Sequence, residues 1–421
     1  MILHLVTGLS DRSSLTRPFL LCADPSEKHA FRFLEDGRVA ERPLNDPGPE
    51  PPDLVVFQAG QNLQFTHAAT ELPDHLWTSA RDGRGRVVFD ASPEGKAHEP
   101  GRSEQLHDML RRVGVPLEQA VYLTQDRQYA SDYSEYCQRI GLERRMRVIV
   151  HDYWIRRVLR EFELSGPEAL QGRLEGFRAR TTKRPRRYLS LNSTPRPARL
   201  MLLTRLMQGG LWDLGFVSFG GFERMEADKG SSFGKYLHDF VRLPGFEDLA
   251  WELRPYLYEL ARRGRLVLSD APIVPTHKDL VRPRCMPEYG ESWFSIITET
   301  EMLDRPSRIT EKVLKPLLNL HPLVLFGNPG SLKLIRGLGF VTFPQLIDES
   351  YDEELEPARR FELAFAEVTR LCRLDEGELA RLSGALAEAL EFNATWGLTR
   401  LPRKYADEYD EALLNDVLAK A

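Results

Sequence analysis

The stretch 293–343 constrains the fold of this chain more than any other, because it alternates short apolar runs with helix-forming segments. It reads as strand, loop, helix, strand, turn, helix and strand. Its first strand contains Phe294, Ile296 and Ile297, and the apolar run 323–326 is short enough to be a buried parallel strand. Strands that alternate with helices predict βαβ units, whose ligands bind at the carboxyl ends of the strands.

Polar residues follow the first of these strands at its predicted carboxyl end. Thr298 and Glu299 end the strand, and Thr310, Glu311 and Lys312 begin the next helix, with Thr310 as the predicted N-cap. A carboxylate at a helix start can accept hydrogen bonds from both ribose hydroxyls, while a lysine and the first-turn amides can hold a phosphate. The pattern therefore favours a nucleotide site, with a merely capped and solvated helix start as the alternative.

A second strand, loop and helix unit begins at the strand 188–191. The loop contains Asn192 and Ser193, and the following helix carries Arg199 near its start. Arginine suits a phosphate because its planar guanidinium can donate two parallel hydrogen bonds. The alternative is an arginine that lies on the surface of an ordinary helix end.

The segment ITEKVLKPL, followed by an apolar strand with glycine, resembles the donor-binding region of GT-B glycosyltransferases, especially the fucosyltransferase and exostosin-like groups. The resemblance covers residues 186–350. It implies an α/β fold with two Rossmann-like domains that face each other across a cleft. A Thr-Glu-Lys run lies at the nucleotide-sugar site of the fucosyltransferases, so the resemblance implies that Glu311 contacts the ribose and Lys312 the phosphates. It also implies donor contacts for Asn192, Ser193 and Arg199. The HPLVLFGNPGSL stretch departs from the family's usual Gly-x-x-Pro-Val motif, so the resemblance does not imply which sugar is transferred.

Length and pattern divide the chain into three predicted parts. At 421 residues it is long enough for two hydrophobic cores. We expect an acceptor-binding α/β domain over residues 1–180 and a nucleotide-sugar-binding α/β domain over 181–375. Helical spacing of apolar residues predicts that 376–421 forms helices that pack back on the core.

Acidic and histidine residues at predicted strand ends in the first half are candidate general bases: Asp90, Glu94, Asp126, His151 and Asp152. Asp90 ranks first, because it follows a clear strand and opens a glycine-rich loop. The base would remove a proton from the acceptor hydroxyl, while Arg199 and Lys312 stabilise the departing diphosphate. Each base candidate also fits a structural role in a cap or turn.

Composition narrows the remaining classes of function. The formal charge is −5, from 57 basic and 62 acidic residues, which does not suggest a general nucleic-acid binder. No Asp-x-Asp triplet or metal-ligand spacing occurs, so we expect neither a metal nor another cofactor. The four cysteines are scattered, the first residues lack a basic leader, and no apolar run approaches a membrane span. These features predict a cytoplasmic protein.

The sequence thus favours a metal-independent glycosyltransferase that moves a sugar from a nucleotide-sugar to a hydroxyl of a glycan, lipid-linked glycan or protein. The basic run 178–187 keeps other interpretations open. It could contact a phosphate or an anionic membrane surface, or it could be a solvated linker. Two alternatives are a noncatalytic scaffold with the GT-B fold and a nucleic-acid-binding protein that uses this run.

Overall fold

A computed structural model of the chain describes residues 3–9, 39–42, 52–59, 63, 65–92, 95–164, 166–180, 183–222, 233–268, 286–303, 307–405 and 415. The chain forms two compact units. The first comprises residues 1–160 and 402–421, and the second comprises residues 161–401. Each unit has a parallel sheet with helices, so the predicted α/β class is confirmed.

The first unit has, within the described residues, one sheet of six parallel strands in the order β2-β1-β3-β4-β5-β6. These strands are β1 Leu3–Leu9, β2 Val39–Arg42, β3 Leu54–Gln58, β4 Arg86–Asp90, β5 Ala120–Thr124 and β6 Arg147–Val150. Its helices are α1 Phe65–Ala68, α2 His75–Arg81, α3 Pro100–Arg112, α4 Tyr129–Arg139 and α5 Tyr153–Leu164, the last of which continues into the second unit.

The central strands of this sheet are apolar except at their ends. Leu54, Val55, Val56 and Phe57 of β3 are all nearly fully buried, because parallel strands are covered by helices on both faces. Trp77 of α2 stacks on Phe57 with ring centroids 5.9 Å apart. Continuous apolar runs therefore define this sheet better than an alternating pattern would.

The second unit has, among the residues described, a sheet of four parallel strands in the order β10-β9-β7-β8. These are β7 Arg186–Ser190, β8 Gly215–Val217, β9 Ser292–Thr298 and β10 Leu323–Phe326. The helices are α6 Gly166–Arg178, α7 Pro197–Gln208, α8 Phe233–Val241, α9 Glu247–Arg263, α10 Glu288–Glu291, α11 Glu311–Leu318, α12 Ser331–Gly337, α13 Pro357–Arg373, α14 Glu376–Ala385 and α15 Ala387–Thr395. A π-helical turn, Trp396–Arg400, and α16 Leu401–Lys404 follow.

The strand order of the second sheet defines a switch point. The chain enters at β7, adds β8 on one side, and then crosses over to add β9 and β10 on the other side. Connections on the two sides leave in opposite directions, which opens a crevice at the carboxyl ends of β7 and β9. All seven residues of β9 are buried, so this strand forms the middle of the core.

The unit boundaries differ from the predicted ones. Helix α6 belongs to the second unit, although the predicted border lies after it at residue 180. Arg178 at its end donates two hydrogen bonds, of 2.8 and 2.7 Å, to the carboxylate of Glu391 on α15. The predicted C-terminal part 376–421 is divided at residue 401, and only its last residues group with the first unit. There, the Tyr405 hydroxyl donates to Asp152 at 2.9 Å.

None of the helices in the part of the chain that the structure describes has both the length and the apolar character needed to cross a membrane.

Gly220, after β8, gives a test of how the second sheet's carboxyl edge is held. A Cβ atom there would lie 1.7 Å from the carbonyl oxygen of Ser193 in the loop after β7. Gly220→Ala should therefore lower the free energy of unfolding by about 3 kcal/mol, since two backbones would have to separate. Chemical denaturation measures this change.

Gly172→Ala on α6 is the matched control, because a Cβ there meets no described atom within 4 Å. Removing a helical glycine should raise the free energy of unfolding by up to about 1 kcal/mol. A shift of the same sign in both variants would contradict the close approach of the two loops.

Candidate functional site

Two connections leave the carboxyl ends of the adjacent strands β7 and β9. The loop after β7 leads into α7, and the loop after β9 leads into α11. Because these strands are neighbours, the switch point brings both connections to one edge of the sheet. Every donor-binding residue predicted from the sequence lies on them: Asn192, Ser193, Arg199, Thr298, Glu299, Thr310, Glu311 and Lys312.

A buried carboxylate joins the end of β9 to the start of α11. Glu299 is 4 % exposed, and its Oε1 accepts the Thr310 backbone N–H at 2.8 Å. Its Oε2 accepts the Thr310 hydroxyl at 2.7 Å. Thr310 has the N-cap position of α11, but its side chain makes no capping hydrogen bond, so the predicted cap is wrong in its chemistry. A hydrogen bond from the hydroxyl to a charged carboxylate is stronger than one from a neutral helix amide to the hydroxyl. The hydroxyl therefore turns towards Glu299.

Lys312 completes this arrangement from the first turn of α11. Its ammonium nitrogen lies 2.8 Å from Thr310 Oγ1, 3.1 Å from Thr300 Oγ1 and 3.4 Å from Glu299 Oε2. The Glu311 carboxylate lies 3.6 Å away. An ammonium group has three N–H donors, so these acceptors can use all of them. The contacts give Lys312 a role in holding Glu299 and Thr310 in place.

Arg199 is a buried cation at this edge with one unused donor among the described residues. It is 7 % exposed in the first turn of α7, and its guanidinium donates to the Thr194 carbonyl at 3.0 Å. Among the described residues, no hydrogen-bond partner exists for its buried Nε. Burial and the charge of Arg196 lower the pKa of Arg199 to about 10, against the opposing effect of Glu311 and Glu299. The side chain is thus charged at neutral pH and able to donate further hydrogen bonds.

Glu311 and Lys315 lie one turn apart on α11. Burial raises the pKa of Glu311, but Lys312, Lys315 and Arg199 outweigh it and hold the pKa below its ordinary value. Burial also lowers the pKa of Lys315 to about 8, with Lys312 and Arg199 adding to this effect and Glu311 opposing it. The sequence prediction did not include Lys315. Its spacing of four residues from Glu311 was the available signal.

The helix N-termini at this edge differ in whether a side chain accepts hydrogen bonds from their first amides. The first turns of α7 and α11 have no side-chain cap. The start of α12 is instead filled by the Asp352 carboxylate, which accepts the N–H of Leu332 at 3.0 Å and of Lys333 at 3.3 Å. Amides at a helix start attract anions, and those of α7, next to Arg199, receive no side-chain cap.

The remaining predicted donor residues shape the crevice. Asn192 is buried; its backbone N–H donates to Ser218 Oγ at 2.9 Å and its side chain to Ser190 Oγ at 3.0 Å. These contacts tie the loop to the ends of β7 and β8. The Ser193 carbonyl lies against Gly220. Thr298 ends β9 with a buried hydroxyl that has no partner within the described part of the chain.

Asp90, the first-ranked base, is fully buried at the end of β4. Its carboxylate accepts the backbone N–H of Ser92 at 3.1 Å and the hydroxyl of Ser92 at 2.6 Å. Such contacts stabilise the turn that follows the strand. Glu94 lies outside the described residues.

The other candidate bases also have structural contacts. Asp126 is buried and accepts the Gln128 backbone N–H at 3.1 Å. Asp152 accepts two hydrogen bonds from Arg127, of 2.8 and 2.9 Å. Burial and the charge of a neighbouring arginine hold the pKa of His151 well below its ordinary value, so this imidazole is neutral.

The basic run 178–187 has its described arginines in contacts within the second unit. Arg178 pairs with α15, and Arg180 donates to the Asn319 and Leu320 carbonyls at 2.9 and 2.8 Å. Arg184 donates to the Ser292 carbonyl at 2.6 Å. Arginines engaged in this way have fewer N–H groups left for a phosphate backbone, which disfavours the nucleic-acid interpretation.

Comparisons with known proteins assign no function to this chain, so the geometry of the site is the basis for proposing one. No protein-family model matches the chain, and no curated protein or solved structure matches it significantly. In the ranges that the structure describes, no group of three His, Cys, Asp or Glu side chains is placed to hold a metal ion. The fold and site define a parallel α/β unit with a buried arginine, Arg199, and a buried carboxylate, Glu299, at its switch point.

The role of Lys312 can be tested by stability. Lys312→Met should lower the free energy of unfolding by about 1–3 kcal/mol, because it leaves the buried Glu299 carboxylate without its cationic neighbour. Lys333→Met, at an exposed position of α12, is the control and should change the free energy of unfolding by less than about 0.5 kcal/mol. Urea denaturation compares the two variants. Equal and small changes would show that Glu299 does not depend on Lys312.

Proposed function

We propose that this protein is a metal-independent glycosyltransferase whose second unit binds a nucleotide-sugar at the switch point between β7 and β9. The observation that carries the proposal is the pairing of a buried cation with a half-buried carboxylate there. Arg199 is charged and its buried Nε has no partner among the described residues, and Glu311 is an ionised carboxylate at a helix start. A nucleotide diphosphate needs both kinds of group, a cation for the phosphates and an acceptor for the ribose hydroxyls.

The residues divide these tasks between them. Arg199 and the first-turn amides of α7, which have no side-chain cap, hold the diphosphate, and Lys315 adds a second positive charge. Glu311 accepts hydrogen bonds from the ribose. Lys312 positions Glu299 and Thr310, so that its effect on turnover is exerted through them. As the bond from sugar to phosphate breaks, Arg199 and Lys315 stabilise the negative charge that grows on the diphosphate.

The first unit takes the acceptor in this proposal, in an architecture of the GT-B type. Its parallel sheet provides strand ends with acidic side chains, of which Asp90 and Asp126 are buried next to polar turns. A base there would remove the proton of the acceptor hydroxyl. The acceptor class is a glycan, a lipid-linked glycan or a protein hydroxyl.

The donor is identified by thermal-shift screening of GDP-, UDP-, CMP- and dTDP-sugars in the presence of a chelator. A nucleotide-sugar at a hundred times its Kd should stabilise the protein by about 2.7 kcal/mol. Arg199→Met should weaken binding of the corresponding nucleotide diphosphate by about 1.5–3 kcal/mol and scarcely affect the nucleoside, because hydrogen bonds to charged groups are lost. Glu311→Gln should weaken both by about 1–2 kcal/mol, since both contain the ribose.

Arg205→Met is the matched control in this experiment. Arg205 lies on the same helix but pairs with Glu362 at 2.9 Å, away from the first turn. Its replacement should leave nucleotide affinity unchanged. If no nucleotide in the panel binds, or if the two arginine variants weaken binding equally, the proposed function is wrong.

Lys315 predicts a specific pH dependence of nucleotide binding. Its pKa is about 8, so it loses its charge as the pH rises through this value, whereas a diphosphate stays fully charged. Affinity for the diphosphate should therefore fall between pH 7 and about 9.5, and binding near pH 8 should take up a proton. Calorimetry in buffers of different ionisation enthalpy measures both effects.

The variants Lys315→Arg and Lys315→Met separate this charge from other titrations. The arginine variant stays charged, so its affinity for the diphosphate should be high and independent of pH over this range. The methionine variant has no charge there, so its affinity should be low and equally independent of pH. The free energy of unfolding of the ligand-free protein should rise with pH over the range in which the affinity for the diphosphate falls. The pKa of Lys315 is lower in the folded chain than in the unfolded chain. The charged lysine therefore lowers the free energy of unfolding most below pH 8, and this destabilisation disappears as the pH rises towards 10.5. An unchanged pH profile in both variants would exclude Lys315 from the site.

A further inference from the structure

A cavity of about 150 Å³ lies at the opposite end of the second sheet from the switch point. Trp293, at the start of β9, and Leu320 and Pro322, just before β10, line one side of it. Residues of α14 and α15 line the other side. The strands are parallel, so their amino ends and carboxyl ends are at opposite edges. This cavity is therefore separate from the site proposed for the nucleotide.

Polar atoms around the cavity lack hydrogen-bond partners. Arg184 lies over the Trp293 ring, 4.4 Å from its centroid, and donates one N–H to the Ser292 carbonyl. Its Nε, the Trp293 indole Nε1 and the Ser383 hydroxyl are buried and have no partner among the described residues. Buried donors are rarely left unpaired, so these three groups point to a bound molecule with acceptor atoms.

The cavity is also positively charged. Arg180 and Arg184 line it, and none of the described residues around it is acidic. Burial and the neighbouring Arg180 lower the pKa of Arg184 to about 10, which leaves both arginines charged at neutral pH. His321 beneath them is neutral, since burial and these arginines hold its pKa well below the ordinary value. An anion bound between two neighbouring positive charges reduces their mutual repulsion.

The backbone beside the cavity turns sharply at the end of α11. Leu320 has a φ of 53°, in the left-handed region that a bulky side chain rarely adopts. Arg180 holds this conformation by donating to the carbonyls of Asn319 and Leu320. Arg180 is thus rigidly positioned at the cavity wall. This turn is an ordinary helix end, in which the His321 N–H donates to the Pro316 carbonyl at 3.0 Å.

We propose that this cavity binds a small organic carboxylate with one apolar ring, at a second site distinct from the nucleotide. The carboxylate accepts hydrogen bonds from Arg184, the Trp293 indole and Ser383, and the ring packs against Leu320 and Leu390. A cavity of 150 Å³ is large enough for a single benzene ring. The substituent must be an anion because no lining group among the described residues supplies a negative charge.

Benzoate is the probe, with benzamide as its uncharged analogue of nearly the same shape and inorganic phosphate as an anion without a ring. Calorimetry should show benzoate binding with a Kd on the order of 1 mM or tighter. Benzamide and phosphate should each bind at least about 10-fold more weakly, because one lacks the charge and the other the apolar body. Equal binding of benzoate and benzamide, or no binding of benzoate, would overturn the proposal.

Variants locate the site. Arg184→Met should weaken benzoate binding at least about 10-fold, and Ser383→Ala should weaken it less, because a neutral donor forms the weaker bond. Arg381→Met, on the exposed side of α14, should bind like the unchanged protein. An equal loss in the two arginine variants would place benzoate elsewhere.

The indole N–H of Trp293 gives a readout that does not depend on how stable the variants are. The chain has six tryptophans, and Trp293→Phe assigns the resonance of this one in a proton–nitrogen spectrum. Benzoate should shift this resonance strongly and benzamide should not. If benzoate shifted only the resonances of other tryptophans, it would bind elsewhere. If it shifted none, the cavity would hold only water, and either result would contradict the proposed benzoate site.

Discussion

The hydrogen bonds of the Glu299 carboxylate determine how the second unit's switch point is built. The strand β9 is buried throughout, so a charged residue at its end must find donors inside the protein. It finds them in the backbone and hydroxyl of Thr310, and this contact sets where α11 begins. Lys312 then balances the charge. Glu311 and Lys315 are directed by the same helix start, so their positions depend on the carboxylate behind them.

Arg360 stabilises the same edge from α13. Its guanidinium is buried and donates to the carbonyl of Gly327 at 2.9 Å and of Met302 at 2.8 Å. One side chain therefore joins the connections that follow β9 and β10. Backbone carbonyls in buried loops need donors, and a planar guanidinium can supply several at once. At the same edge, the Nε of Arg199 has no partner among the described residues.

The two ends of the second sheet differ in the sign and balance of their charges. At the carboxyl end, Glu299 and Glu311 stand among Arg199, Lys312 and Lys315, so a ligand there meets both donors and acceptors. At the amino end, arginines of the basic run meet an indole N–H and a hydroxyl without any described acidic neighbour. The first arrangement suits a ligand with hydroxyls and phosphates, and the second suits a simple anion. The run 178–187 thus has a role within its own unit.

The sequence by itself determined the α/β class and the strands around the switch point, because apolar runs and turn residues are local patterns. The strand that it predicted at the end of the stretch 293–343 is absent from this described part of the chain. Only the tertiary structure decided what the side chains around the switch point contact. The hydroxyl of Thr310 bonds a carboxylate instead of capping its helix. Lys315, the grouping of α6 with α15, and the cavity beside Trp293 were also not predictable. They depend on which elements become neighbours in space, and helical periodicity identifies a buried face without identifying its partner.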